Sequence, residues 1–179
     1  MLRKHLKGSN ILFIVLLIIV LVPTTRYKVQ AWIIQLMGSP EPMEEGIVIS
    51  AAEMNFEYYN LKGDTFNLLD LRGKPLFINF WATWCGPCRV ELPSIKRLVE
   101  KHQGDGQILL ISNEDPALLN EFLGEDMADM PVYYSRFSPA FVNSNSIPLT
   151  YVIDSTGKVL IEKTGASDWD GESILNLLK

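Results

Sequence analysis

Hydrophobic and polar positions fall into three regimes along the chain. From Ile11 to Val22 the apolar run is unbroken, and the stretch without charge extends over 18 residues, from Gly8 to Thr25. That is the lower end of what crosses a bilayer core. Pro23 ends the run. From Tyr27 to Met37, Val29, Trp32, Ile33 and Leu36 recur at helical spacing. This reads either as a short amphipathic helix at a membrane interface or as a continuation of the spanning helix. The segment Gly38–Gly46 is polar and rich in Pro and Gly, which reads as a linker.

Beyond the linker the pattern alternates between periods. Ile47-Val48-Ile49 and Phe56-Glu57-Tyr58-Tyr59 have strand character, with a turn at Lys62-Gly63-Asp64. Pro75 to Trp81 reads as a buried central strand, and Gln107 to Ser112 as another. Between them, Gly86 to about His102 predicts a helix with Leu92, Ile95 and Val99 on one face. Pro93 lies inside it and should kink it, because it removes the bond to the Arg89 carbonyl. Asp115 predicts an N-cap for a short helix from Pro116 to Leu123, followed by a strand at Pro131–Ser135. Leu149–Asp154 and Lys158–Glu162 form a hairpin around Ser155-Thr156-Gly157, and Asp170–Leu178 a terminal helix. Strands with crossover helices, then a hairpin and a helix, imply an α/β sandwich whose mixed sheet is covered on both faces.

Charge sharpens the first regime. Residues 1–37 carry five Lys/Arg (Arg3, Lys4, Lys7, Arg26, Lys28) and no acid, whereas the rest carries eleven against all 21 Asp/Glu. A basic apolar head on an acidic body is expected where the head meets a membrane. The residues before the run place the N-terminus in the cytoplasm and the body outside. A cleaved signal peptide is the alternative. Its best cleavage site, Val29-Gln30-Ala31, lies nine residues past the run, beyond Arg26 and Lys28, so an uncleaved anchor is expected. A net charge of −5 argues against nucleic acid as a partner, and 47% hydrophobic residues exclude a disordered chain.

The chain has two cysteines, Cys85 and Cys88. A disulfide scaffold needs more. A closed zinc site needs further soft ligands, and the body offers only His102, so no metal is expected. Arg89 after Cys88 excludes a haem-attachment motif. A Cys-x-x-Cys pair that begins a helix straight after a buried strand is a redox dithiol signature. Cys85 at the helix N-terminus has its thiolate stabilised by unsatisfied N–H groups and the helix dipole. Cys88, one turn on, is the resolving thiol. Gly86 lets a partner backbone approach, and Pro87 suits the first turn.

The stretch Phe80-Trp81-Ala82-Thr83-Trp84-Cys85-Gly86-Pro87-Cys88 resembles the active-site motif of thioredoxins. The longer pattern resembles the membrane-anchored TlpA/ResA-like branch. It runs from Leu71-Arg72-Gly73-Lys74-Pro75 through Glu91-Leu92-Pro93 to Ile147-Pro148-Leu149-Thr150-Tyr151-Val152-Ile153-Asp154. The resemblance implies a thioredoxin-like three-layer sandwich over residues 47–179, preceded by an anchor in residues 1–37 and a linker at 38–46. Residues 115–136 match the helix and strand that the branch inserts. Pro148 matches a cis-proline facing the dithiol, which would present the backbone of Ile147 to a partner's extended chain.

Asn79 departs from ordinary thioredoxin, where this position holds a buried Asp that relays the proton of the resolving thiol. Asn does not titrate, so the relay moves to Glu91. It follows Cys88 by three residues on the same helix face and matches the Glu of this branch. A partly buried carboxylate beside a thiol pair has a raised pKa and can deprotonate Cys88. Trp84 is read as a rim aromatic that contacts partners, and Trp81 as core. Lys74 and Arg89 are read as solvated surface charges, and His102 as a helix-end residue.

These readings describe an exported, membrane-tethered thiol:disulfide oxidoreductase without a dissociable cofactor. It would reduce disulfide-bearing proteins on the extracytoplasmic, periplasmic side of a bacterial cell membrane, drawing electrons from a membrane donor. Reduction of apocytochrome c thiols is the best-known task of the branch. A dithiol oxidase or isomerase uses the same residues at higher potential, and a copper-binding chaperone would need a further ligand. Nothing requires more than a monomer.

Overall fold

The computed structural model describes residues 8–179; Arg3, Lys4, His5 and Lys7 of the basic head lie outside the described residues. Two helices come first, α1 (Gly8–Leu21) and α2 (Pro23–Met37), parted at the extended residue Val22. Pro23 takes the first-turn position of α2, where its missing N–H is harmless. The segment from Tyr27 to Met37 therefore belongs to a second helix rather than to a continuation of the apolar one. Among the described residues no helix is long and apolar enough to cross a membrane.

The body is a seven-stranded sheet in the order β2-β1-β5-β4-β3-β6-β7. The strands are β1 (Glu57–Asn60), β2 (Thr65–Asn67), β3 (Leu76–Phe80), β4 (Gln107–Ser112), β5 (Val132–Tyr134), β6 (Leu149–Ile153) and β7 (Val159–Thr164). β3, β4 and β5 run parallel, while β6, β7, β1 and β2 add antiparallel. The helices are α3 (Gly86–Lys101), α4 (Pro116–Leu123) and α5 (Glu172–Leu177). This is the thioredoxin-like α/β arrangement with a mixed sheet.

Alternation along the central strands divides the core in two. Phe77 on β3, Leu110 on β4 and Val152 on β6 face one layer, with Leu92, Ile95 and Leu98 of α3, Leu119 of α4 and Ile174 of α5. Leu76, Ile78, Phe80, Leu109, Ile111, Leu149, Tyr151 and Ile153 face the other, against Ile49, Met54, Leu68 and Phe141. That second layer is built from a 3₁₀ turn (Leu68–Leu71) and irregular chain, not from α-helices. Apolar side chains at those irregular positions cover the sheet as a helix would.

One local expectation is corrected. Ile47-Val48-Ile49 makes an isolated bridge, Val48 to Lys158, rather than a strand. The chain here lies against β7, with the Met43 N–H on the Leu160 carbonyl (2.7 Å) and the Val159 N–H on that of Ile47 (2.8 Å). Gly46 is required by this approach, because a Cβ there would sit 1.9 Å from the Val159 carbonyl oxygen. Pro93 lies inside α3, as the sequence has it, and the helix runs on as one element from Gly86 to Lys101.

Register positions the site. Phe80, the last residue of β3, pairs with Leu149, the first of β6. The loop after β3 and the chain before β6 therefore meet at one end of the sheet, where α3 begins.

Candidate active site at the start of α3

Cys85 is the N-cap of α3, and its Sγ accepts the Cys88 N–H at 3.1 Å. The two cysteines are joined as a disulfide with Cα atoms 5.3 Å apart. Cys88 is fully buried and Cys85 nearly so. Pro87 occupies the first turn of the helix. A Cβ placed on Gly86 would meet nothing within 4 Å, and Gly86 is not in the left-handed region. A side chain at Gly86 would thus clash with no atom of this chain, and the space beside it is walled on its far side by α2. Trp84 projects beside the disulfide, 72% exposed. The Ile147–Pro148 peptide bond is cis and leads into β6, with Ile147 packed against both core layers.

The loop carrying Thr83 and Trp84 is held by a residue that sequence inspection passed over. Glu114 accepts the Thr83 N–H at 2.6 Å and the Thr83 hydroxyl at 2.8 Å. An acid just after a strand carries no distinguishing signal in one sequence.

Glu91 is 1% exposed, one turn along α3 from Cys88. Its Oε1 accepts from Asn79 Nδ2 at 2.8 Å. Its Oε2 accepts from the Trp169 indole N–H at 2.9 Å and the Ser167 backbone N–H at 3.1 Å. Burial pushes its pKa up to about 7, against the pull of the Trp169, Asn79 and Ser167 donors toward the charged form. Asn79 also donates to Thr150 Oγ1 at 2.8 Å, its register partner on β6. Asn79 is legible in the sequence as a departure from the thioredoxin pattern. Its contact with Glu91, and those of Ser167 and Trp169, emerge only in the fold.

The remaining candidates separate. Trp81 is buried and packs its ring 5.6 Å from that of Phe122, as a core aromatic. Lys74 sits before β3, at the far end of the strand from the dithiol. Arg89 is exposed, with its guanidinium 5.3 Å from the Tyr27 ring of α2 and 5.5 Å from Phe122. It is thus held between aromatic faces rather than simply solvated. His102 caps the C-terminus of α3 and meets the Gly106 carbonyl at 2.8 Å. Among the described residues no three His, Cys, Asp or Glu cluster to hold a metal ion.

Two hollows flank the disulfide. One, of about 350 Å³, lies between α2 (Tyr27, Ile33, Ile34) and Gly86, Pro87 and Val90. The other, of about 230 Å³, is lined by Trp84, Phe137 and Ile147 together with the polar Asn113, Ser135 and Asn145. Phe137, 79% exposed, was not anticipated from the sequence.

Comparison with known proteins agrees with this geometry. Residues 50–178 match the Redoxin family. The chain is 32% identical over 126 residues to the thiol-disulfide oxidoreductase ResA of Bacillus thuringiensis subsp. konkukian, covering 68% of this chain and 73% of that one. It is 30% identical over 165 residues to the thioredoxin-like protein YneN of Bacillus subtilis, covering 89% and 88%. Among solved structures, the pneumococcal exposed lipoprotein thioredoxin Etrx1 of Streptococcus pneumoniae superposes with a TM-score of 0.56 at 25% identity, over 69% of this chain and 96% of that one. Bacillus subtilis StoA shares the fold, with a TM-score of 0.55 at 16% identity over 69% and 96%. With its disulfide at the head of α3 and these relatives, the chain belongs to the Redoxin family as a TlpA/ResA-like member of the thioredoxin superfamily, and it is a thiol-disulfide oxidoreductase.

Proposed function

We propose that this protein is a membrane-tethered reductant that acts on disulfides of extracytoplasmic proteins, with apocytochrome c among the substrates to test. The observation that carries this reading is the Cys85–Cys88 disulfide at the head of α3 with a buried carboxylate, Glu91, one turn along the helix. In the reduced form, the Cys85 thiolate would sit on the N-terminus of α3, where free N–H groups and the helix dipole favour it. It attacks one sulfur of a partner disulfide, and the partner's other sulfur leaves as a thiolate. Cys88 then gives its proton to the Glu91 carboxylate. The Cys88 thiolate attacks Cys85 Sγ, closing the Cys85–Cys88 disulfide and releasing the partner's second thiolate. Two electrons pass to the partner, and a membrane donor restores the dithiol.

The partner's backbone would approach over Gly86, beside the exposed ring of Trp84, with the cis Ile147–Pro148 bond presenting the backbone of Ile147 to it. The anchor reading rests on the uncharged stretch from Gly8 to Thr25, the basic residues around it, and the exposed apolar side chains of α1 from Ile11 to Ile18. On that reading the catalytic body lies outside the cytoplasm.

The reduction potential of the full chain in detergent micelles, equilibrated in thiol buffers, tests the direction. A value at or below about −230 mV supports a reductant. A value above about −180 mV moves the assignment to an oxidase or isomerase.

A further inference from the structure

Glu91 receives three hydrogen bonds, all from N–H donors, and forms no ion pair among the described residues. The charged groups of the neighbouring loop are engaged elsewhere. Asp170 is paired with Arg97 (2.8 Å) and Lys101 (2.9 Å), and Asp168 lies 3.6 Å from Arg97. Facing Glu91 from the other elements are Asn79 of β3, Thr150 of β6 through that amide, and Cys88 of its own helix, none of them a cation. The carboxylate's charge therefore depends on the three donors. Ser167 contributes main chain, and Asn79 divides its amide with Thr150. The Trp169 indole is the side-chain donor spent on Glu91 alone.

That indole is held in place. Trp169 is fully buried and packs edge-to-face on Phe77, with centroids 5.2 Å apart. Its backbone N–H donates to Ser94 Oγ at 3.2 Å, and the next residue is clamped by Arg97 and Lys101. The consequence lies in how the two carboxylate oxygens are used. Oε2 takes two donors, which fills both its lone pairs, while Oε1 takes one and keeps a lone pair free.

We propose that Trp169 is a positioning residue for the relay carboxylate: with Ser167 it saturates Oε2, so that the proton leaving Cys88 is received at Oε1. This rests on the reading of Glu91 as the base for Cys88. A buried carboxylate without the indole would hold its proton more tightly, leaving less base at neutral pH.

The test uses the full chain in detergent micelles with 15N-labelled tryptophan. The chain has four tryptophans, and the Trp169 indole signal is the one absent from Trp169→Phe. In the wild type this signal is expected to shift with pH, with a midpoint matching that of a 13C-labelled Glu91 carboxyl. Glu91→Gln should abolish the shift. In Trp169→Phe, which keeps an aromatic ring on Phe77, the Glu91 midpoint and the acid limb of mixed-disulfide resolution should both move up by about one pH unit. That leaves about tenfold less carboxylate below the midpoint. A wild-type indole signal that stays flat while Glu91 titrates would overturn the proposal, whether or not the variant folds. An E91Q protein that resolves mixed disulfides at the wild-type rate across the pH range would overturn the relay itself, and the proposal with it. The two failures are thus separable.

Discussion

Asn79 and Thr150 stand opposite each other on β3 and β6, and the Asn79 amide links the Thr150 hydroxyl to the Glu91 carboxylate, 2.8 Å on each side. A neutral amide here lets a single buried carboxylate do the titrating. Replacing it by Asn79→Asp would remove a donor and set a second carboxyl against Glu91. Both effects favour the protonated acid. The pH at which Glu91 ionises should rise above about 7, and the acid limb of mixed-disulfide resolution should follow it. NMR titration of the Glu91 carboxyl checks this; an unchanged midpoint would show that the amide does not control the carboxylate.

Glu91 should also impose a pH dependence on stability. Its pKa is raised from 4.5 to about 7 on folding, so the unfolded chain releases this proton at lower pH than the native one. Stability is then greatest below about 4.5 and falls as pH rises to about 7, by about 3 kcal/mol in all from this group. Asp170 acts with opposite sign, since its pairing with Arg97 holds it well below the usual carboxylate range. Its contribution is present above the ordinary Asp pKa and is lost on strong acidification. Urea midpoints of the oxidised protein between pH 5 and 8 should decline with pH, and Glu91→Gln should flatten that decline.

Cysteine order can be read by trapping. Cys88→Ser should accumulate a reducible mixed disulfide with a partner, because the resolving attack is missing. Cys85→Ser should accumulate none, since the thiol at the head of α3 is gone. Non-reducing electrophoresis distinguishes them, and the reverse pattern would exchange the two roles.

Gly86 separates folding from partner access. A Cβ there meets no atom of this chain within 4 Å, and the backbone is not left-handed. Gly86→Ala should therefore leave the fold intact or stabilise it by about 0.4–1 kcal/mol through the unfolded chain. It should raise the KM for a protein disulfide while leaving a small aromatic disulfide unaffected. An equal effect on both would place partners elsewhere.

Glu114 clamps the loop between β3 and α3 through the Thr83 N–H and hydroxyl. Glu114→Ala should destabilise the protein by about 1–3 kcal/mol, because a part-buried donor is left without its acceptor. Glu114→Gln, which keeps one acceptor oxygen, should lose less. Thermal melts of the two variants give the comparison.

Local periodicity settled much of this protein. A Cys-x-x-Cys pair placed after a buried strand sets the dithiol at the head of a helix. The helical repeat puts Glu91 one turn from Cys88. Strand alternation sends Phe77 and Asn79 to the α3 face, and Leu76, Ile78 and Phe80 to the other. The neighbours of Glu91 were decided elsewhere. Thr150 lies 71 positions from Asn79, and Trp169 lies 78 from Glu91. Their meeting depends on the pairing of β3 with β6 and on the docking of the 167–170 loop by Arg97 and Lys101. The same is true of Glu114, brought under Thr83 by the parallel pairing of β3 and β4. Residue type and local period identify a carboxylate near a thiol. Its proton affinity depends on burial and on which donors reach it, and those follow from register and packing across the whole core.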